Sequence, residues 1–228
     1  MDISKQIKQR LESSGTRYWA GDNISDHIRE GEKELLIEEL TPKFEAVLDS
    51  LVIDRLNDPN SMDTGRRLAK MYVNELMSGR YDPMPKATAF PNDSTTAYKG
   101  LLTIRSEIVS MCSHHHQPVK GVAYIGIIAG DSLIGLSKYT RIAQWCAKRG
   151  TLQEELAMDI SREIMKATNS ANVGVYVQAT HGCVEHRGIK AHSSLTQTTV
   201  LEGAFKDDPA TKKEFMDNIK LQQQYAPQ

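Results

Sequence analysis

Three cysteines and a run of histidines are the residues of this 228-residue chain whose types and spacing can do chemistry. Cys112 is followed by Ser113 and by His114, His115 and His116, and much later the chain reads His181-Gly182-Cys183. A Cys-x-x-His pair plus a distant cysteine supplies three soft or borderline donors, the arrangement of a catalytic zinc site that keeps its fourth position for water. Zinc lowers the pKa of such a water toward about 7, so hydroxide forms at neutral pH without a strong protein base. Both groups fall at ends of predicted strands, and side chains two apart on a strand face the same way, so His181 and Cys183 are expected to look into one site. The plain alternative is that each cysteine is a small buried apolar side chain, and spacing alone leaves both readings open. Cys146, among Ile142, Trp145 and Ala147 on a predicted helix, is read as core and left out of the site.

Basic residues collect in three places: Arg66, Arg67 and Lys70; Lys138 and Arg141; His186, Arg187 and Lys190. Lys138 and Arg141 are three apart, hence on one helix face, and Ser137 stands at that helix's start, where free amides favour an anion such as phosphate. Solvated surface charge is the ordinary alternative for each cluster. Gln153 and Glu154, near the start of the next helix, can cap it, decorate its surface or accept hydrogen bonds from a ligand edge.

The elements that must position these residues follow from periodicity. Residues 28–56 place Leu35, Leu36, Leu40, Phe44, Val47, Leu48, Leu51 and Ile53 at helical spacing, with Pro42 expected to open a new helix. A further helix is predicted over 64–76, stopped by Gly79. After an irregular stretch over 81–93, branched residues predict strands over 101–111 and 122–128, a hairpin with a turn signal at Gly130-Asp131. Helices are predicted over 138–148 and 152–167, the second capped by Thr151, then strands over 173–180 and 191–201, and a final helix over 209–225. This order makes an α+β protein, with an N-terminal helical region over residues 1–80 and a catalytic region over 81–228, expected to form one structural domain overall. Four strands leave exposed edges that another copy would cover, so a homo-oligomer is expected.

Composition narrows the partners. Lys and Arg number 28 against 29 Asp and Glu, so no general basic field exists to attract nucleic acid. The opening segment lacks the continuous apolar stretch of a signal peptide or membrane span, so a soluble, cytoplasmic protein without a membrane partner is expected. Reduced thiols in such a compartment suit metal binding.

The motifs, taken in order, resemble those of GTP cyclohydrolase I, and the resemblance runs from about Ile28 onward. It is carried by Cys112-Ser113-His114-His115, Gly135-Leu136-Ser137-Lys138 with Arg141, Gln153-Glu154-Glu155-Leu156, His181-Gly182-Cys183 with Arg187-Gly188, and Gly203-Ala204-Phe205, together with residues 63–71. It implies the tunnelling fold (T-fold), in which small sheets from several subunits join into a barrel and two rings stack into a decamer with active sites at subunit interfaces. It further implies that Cys112, His115 and Cys183 hold Zn2+, that His181 acts as acid near N7 of the purine, and that His114 assists proton transfer. Glu154 and Gln153 would hold the guanine edge. Lys138, Arg141 and Arg187, with Arg67 and Lys70 from a neighbouring chain, would bind the triphosphate, and Ser137 would serve the later ribose rearrangement. The implied reaction converts GTP to 7,8-dihydroneopterin triphosphate and formate, the opening step of pterin and tetrahydrofolate synthesis.

Four departures stand out. Ser113 replaces a glutamate with a short hydroxyl, Glu155 stands where the family has arginine, Gly65 replaces a helix-opening proline, and residues 127–129 replace Tyr-Ile-Pro. Ser113 motivates one alternative, a member arrested after ring opening or preferring another nucleotide; a second, from another class, is a nucleotide-binding homologue that keeps the fold without catalysis. The nitrile-reducing enzymes of the same fold rank last, because they use NADPH and no glycine-rich dinucleotide fingerprint occurs here.

Overall fold

In a computed structural model, which describes residues 2–93 and 97–225, the chain divides into two units, Met1–Pro83 and Met84–Gln228. In the first, α1 (Ile3–Ser13) presents Ile3, Ile7 and Leu11 at helical spacing, and this stripe packs with Ile24, Leu36, Ile37, Ala69 and Val73. The segment before Ile28, whose role the sequence left open, therefore belongs to the core of its own unit.

Helix α2 (Glu32–Ser50) runs straight through Pro42, contrary to the expected break. Proline costs a helix interior about 3 kcal/mol. Here Leu36, Ile37 and Leu48 are all buried from one continuous helix, and that packing outweighs the local penalty. Helix α3 (Thr64–Met71) lies close against α2, since a Cβ on Gly65 would come within 2.6 Å of Glu45 Cγ and 3.1 Å of the Thr41 carbonyl oxygen. A helix-opening proline at 65 would be bulkier than this contact allows. The predicted single helix over 64–76 changes at Tyr72–Leu76 into a π-helical turn, and the short α4 (Ser78–Tyr81) contains Gly79, which is not the stop it was expected to be.

The second unit contains β1 (Ala89–Pro91), β2 (Leu101–Met111), β3 (Pro118–Ile128), β4 (Ser132–Ile134), α5 (Leu136–Ala147), α6 (Gln153–Thr168), β5 (Val173–His181), α7 (Gly182–Glu185), β6 (Thr196–Leu201), α8 (Ala204–Asp207) and α9 (Pro209–Tyr225). Strands β2, β3, β5 and β6 form one antiparallel sheet in that order, and β1 pairs with β4 in a separate antiparallel ribbon. The ribbon's three-residue strands are too short to leave a period in the sequence, and it was not anticipated. Strand β3 begins four residues earlier than predicted, at Pro118, because proline is accommodated at a strand's first position. Strand β6 is shorter than predicted.

Alternation along β3 and β5 sends Ile125, Ile127, Val173, Val175 and Val177 to a face covered by Ile142 and Ala143 of α5 and by Leu156, Ile160 and Ile164 of α6. The opposite face carries Tyr124 and Tyr176 under Phe205 of α8 and Phe215 of α9. Helix α9 begins where Asp207-Asp208 predicted, with Asp208 accepting from the amides of Ala210 and Thr211. Helix α6 is capped by Leu152, not Thr151; the Thr151 hydroxyl donates instead to Glu155 at 2.9 Å, which gives the departure at 155 a local partner. Among the described residues, no helix is long and apolar enough to cross a membrane.

Candidate active site

Cys112, His181 and Cys183 fall at one end of the sheet, at the termini of three strands. Met111, the last residue of β2, pairs with Pro118, the first of β3, and Val119 pairs with His181, the last of β5. The segment just beyond β2 and the segment just beyond β5 are therefore brought to one end of the sheet by register alone. Cys112 and Cys183 meet there, packed with Val119, Ala179 and Leu152.

Strand alternation was expected to bring Cys183 to this place, and it does not. The strand ends at His181, and Gly182 begins the one-turn helix α7, which swings Cys183 round. Gly182 permits the turn to lie on β3, since a Cβ there would sit 3.2 Å from both Cδ and the carbonyl oxygen of Pro118. Burial, followed by the neighbouring Cys112 sulfur and its hydrogen bond, pushes the Cys183 thiol up. A thiol held neutral beside a second sulfur makes a donor pair that a divalent cation would convert to thiolates.

The hairpin turn after Cys112 is closed by the Cys112 amide donating to Gln117 O and by the His116 amide donating to Cys112 O, both at 2.9 Å. His116 takes a left-handed φ of 51° to complete it. His114 and His115 are exposed on this turn, their rings edge-on at 6.3 Å. Among the described residues, no three His, Cys, Asp or Glu side chains stand close enough together to hold a metal ion, so His115 is not drawn to the thiol pair. The donor chemistry fits zinc, with two thiols assembled and a histidine three residues along the same turn.

His181, the last residue of β5, is partly buried, and its Nε2 lies 2.7 Å from Gln153 Oε1. Burial lowers its pKa against the opposing pull of Glu154 and Glu185, favouring the neutral ring. Gln153 is only 3% exposed, and its Nε2 donates to Val177 O, Thr196 O and Thr198 Oγ1. The neighbouring Glu154 is exposed. Ser137 and Arg141 are exposed on α5 and Lys138 is half-buried, with the Lys138 amide donating to Gly135 O at 2.8 Å. Arg187 is exposed just after α7. Arg67 and Lys70 are exposed on α3 in the first unit, Arg67 being 3.8 Å from Asp63. Cys146 is fully buried on α5 and burial pushes its thiol up to about 12, as befits a core residue.

Sequence reasoning did not anticipate the strut formed by Gln153 with Thr196 and Thr198. Its signal is faint, because threonines in a strand are ordinary and only the register of β6 on β5 places them under α6.

Fold and site together define an α+β protein with paired thiols and an imidazole at the ends of an antiparallel sheet. The family model for GTP cyclohydrolase I matches residues 41–220. A protein named GTP cyclohydrolase 1 from Flavobacterium johnsoniae is 40% identical over 193 residues, covering 83% of this chain and 84% of its own. Proteins of the same name from Aeromonas salmonicida and Yersinia enterocolitica are 35% and 39% identical, covering 80% and 76% of this chain and 84% and 79% of theirs. The chain belongs to the GTP cyclohydrolase I family.

Proposed function

We propose that the chain is a GTP cyclohydrolase I, hydrolysing GTP to 7,8-dihydroneopterin triphosphate and formate. The observation that carries this reading is the meeting of Cys112 and Cys183 at the end of the sheet where β5 closes on His181, within a chain of that family. Cys112, Cys183 and His115 would hold Zn2+, with His115 carried in by the exposed hairpin turn. When bound, zinc would act as a Lewis acid and provide a water of lowered pKa for attack on C8 of the purine.

The chain's own side chains do the rest. His181 holds a proton for N7, and His114 takes up and returns protons from the same turn as His115. Glu154, exposed at the start of α6, accepts hydrogen bonds from the guanine N–H edge. Lys138, Arg141 and Arg187 meet the triphosphate near the N-terminus of α5, where unpaired amides add to the positive field. Arg67 and Lys70 complete the triphosphate site of a neighbouring subunit. Ser137, beside Lys138, serves the ribose rearrangement. The outer strands β2 and β6 pair with other subunits in a T-fold barrel, giving a homodecamer that works in the cytoplasm on the path to tetrahydrofolate.

The test is incubation of zinc-loaded protein with GTP, following formate and oxidised-pterin fluorescence together, beside Cys183→Ala. Both signals are expected, and both are lost in the variant along with the zinc. Formate without pterin fluorescence would replace the full reaction with ring opening alone. GTP and zinc binding with neither product would leave a binding protein.

A further inference from the structure

The buried amide of Gln153 is oriented by its partners. Two of the three groups around its Nε2 are backbone carbonyls, Val177 O at 3.3 Å and Thr196 O at 3.2 Å, which can only accept. Turning the amide over would set its oxygen against both. The third, Thr198 Oγ1 at 3.0 Å, accepts equally well. The orientation is thus assigned by chemistry, and Oε1 is left pointing at His181 Nε2 at 2.7 Å. An amide oxygen cannot donate, so Nε2 must carry the hydrogen in this contact.

We infer that Gln153 is a positioning residue: anchored on the β5–β6 pair, its amide oxygen fixes the plane and the resting Nε2–H tautomer of His181, so that the ring faces substrate through Nδ1, the nitrogen that takes up a proton and passes it to N7. The inference rests on the proposed reaction and departs from the guanine-edge role that the family resemblance implies for the Gln153 side chain. A side chain that is 3% exposed, with both ends of its amide engaged inside the protein, has no group left to read a guanine edge. Of the two neighbouring side chains, Glu154 is the one exposed to take that task. The arrangement has the logic of a carboxylate holding a catalytic imidazole, with a neutral amide in place of the carboxylate. An amide orients the ring without adding a full negative charge to it.

The position is built for this. Gln153 is the first residue of α6, so its backbone is fixed by the helix, and His181 closes β5, two residues beyond Ala179, which pairs with Thr196. One side chain therefore ties a helix start, two strands and the imidazole together.

The experiment is steady-state kinetics of the zinc-loaded Gln153→Met enzyme, which keeps the side chain's length and removes its hydrogen bonds, beside wild type. Expected is a fall in kcat of about 10- to 100-fold, part of what a positioned acid or base contributes, with KM for GTP within about 3-fold of wild type. A KM raised tenfold or more at unchanged kcat would overturn the inference and return Gln153 to the guanine edge. Wild-type kinetics in the variant would overturn it as well. Imidazole 15N spectra of the wild-type holoenzyme, with the His181 signals assigned by their loss in His181→Gln, give a reading independent of folding in the Met variant. The Nε2–H tautomer is expected, and an Nδ1–H ring would refute the inference. Should wild type release no formate, the proposed reaction falls and the tautomer alone decides the role of Gln153.

Discussion

Helix α1 is held to α2 by a carboxylate whose loss can be measured. Glu39 accepts from the Ser4 amide at 2.9 Å and the Ser4 hydroxyl at 2.6 Å, and it pairs with Lys43. Burial pushes its carboxyl up, but these three donors outweigh burial and bring the pKa down from 4.5 to about 2. A folded-state value below the unfolded one means that the carboxylate form stabilises the fold. The contribution is complete above about pH 4.5 and is lost as the pH falls toward 2. A shift of this size corresponds to about 3 kcal/mol at neutral pH. The Glu39 side chain is 12% exposed, but Lys43 is 58% exposed and its share is screened, so about 2 kcal/mol is the expected net value. Glu39→Ala should therefore raise amide hydrogen exchange across residues 3–13 by roughly 30-fold at pH 7, since about 1.4 kcal/mol is a factor of ten. Wild type, corrected for intrinsic exchange, should lose the same protection between about pH 4.5 and 2. Unchanged exchange in the variant, or loss of protection in wild type already complete at pH 6, would refute the reasoning.

One further substitution and one thiol reagent address the second unit. Phe205→Ala removes a fully buried ring that meets Phe215 edge-on at 5.2 Å, and should cost about 3–5 kcal/mol, read as a thermal midpoint lowered by roughly 6–20 °C; a drop under about 3 °C would mean that the α8–α9 layer closes over the gap. Cys146, whose thiol burial pushes up to about 12, should resist a thiol-titrating reagent in metal-free native protein while the partly exposed Cys183 reacts, and equal rates for the two would show that the α5 core opens readily.

What the sequence made legible was set by repetition. Eleven residues of β2 and the long stripe of α6 leave a period that no single residue can hide, and both were placed within one or two positions. The breaks in pattern were harder. Pro42 reads as a stop because local cost is visible in a sequence, whereas the buried face that overrides it is a tertiary property. The thiol pair was expected from residue types, yet the route by which Cys183 reaches Cys112 was not, because α7 replaces strand alternation with a single helical turn. Gln153 was singled out with Glu154 as a cap, a surface residue or a ligand contact, and its burial is set by the register of β6 rather than by its neighbours in the chain.

The unbroken pairing of β2 with β3, from Leu101 with Ile128 to Met111 with Pro118, limits how genes for this chain can change length. Losing or gaining one residue in either strand turns every later side chain to the wrong face, and losing two shifts Cys112 along the sheet by about 7 Å relative to Cys183. Point substitutions such as Ser113 leave that frame intact. Insertions and deletions among descendants of this gene should therefore collect outside residues 101–128, and the interval between Cys112 and Pro118 should keep its length even where its residues drift.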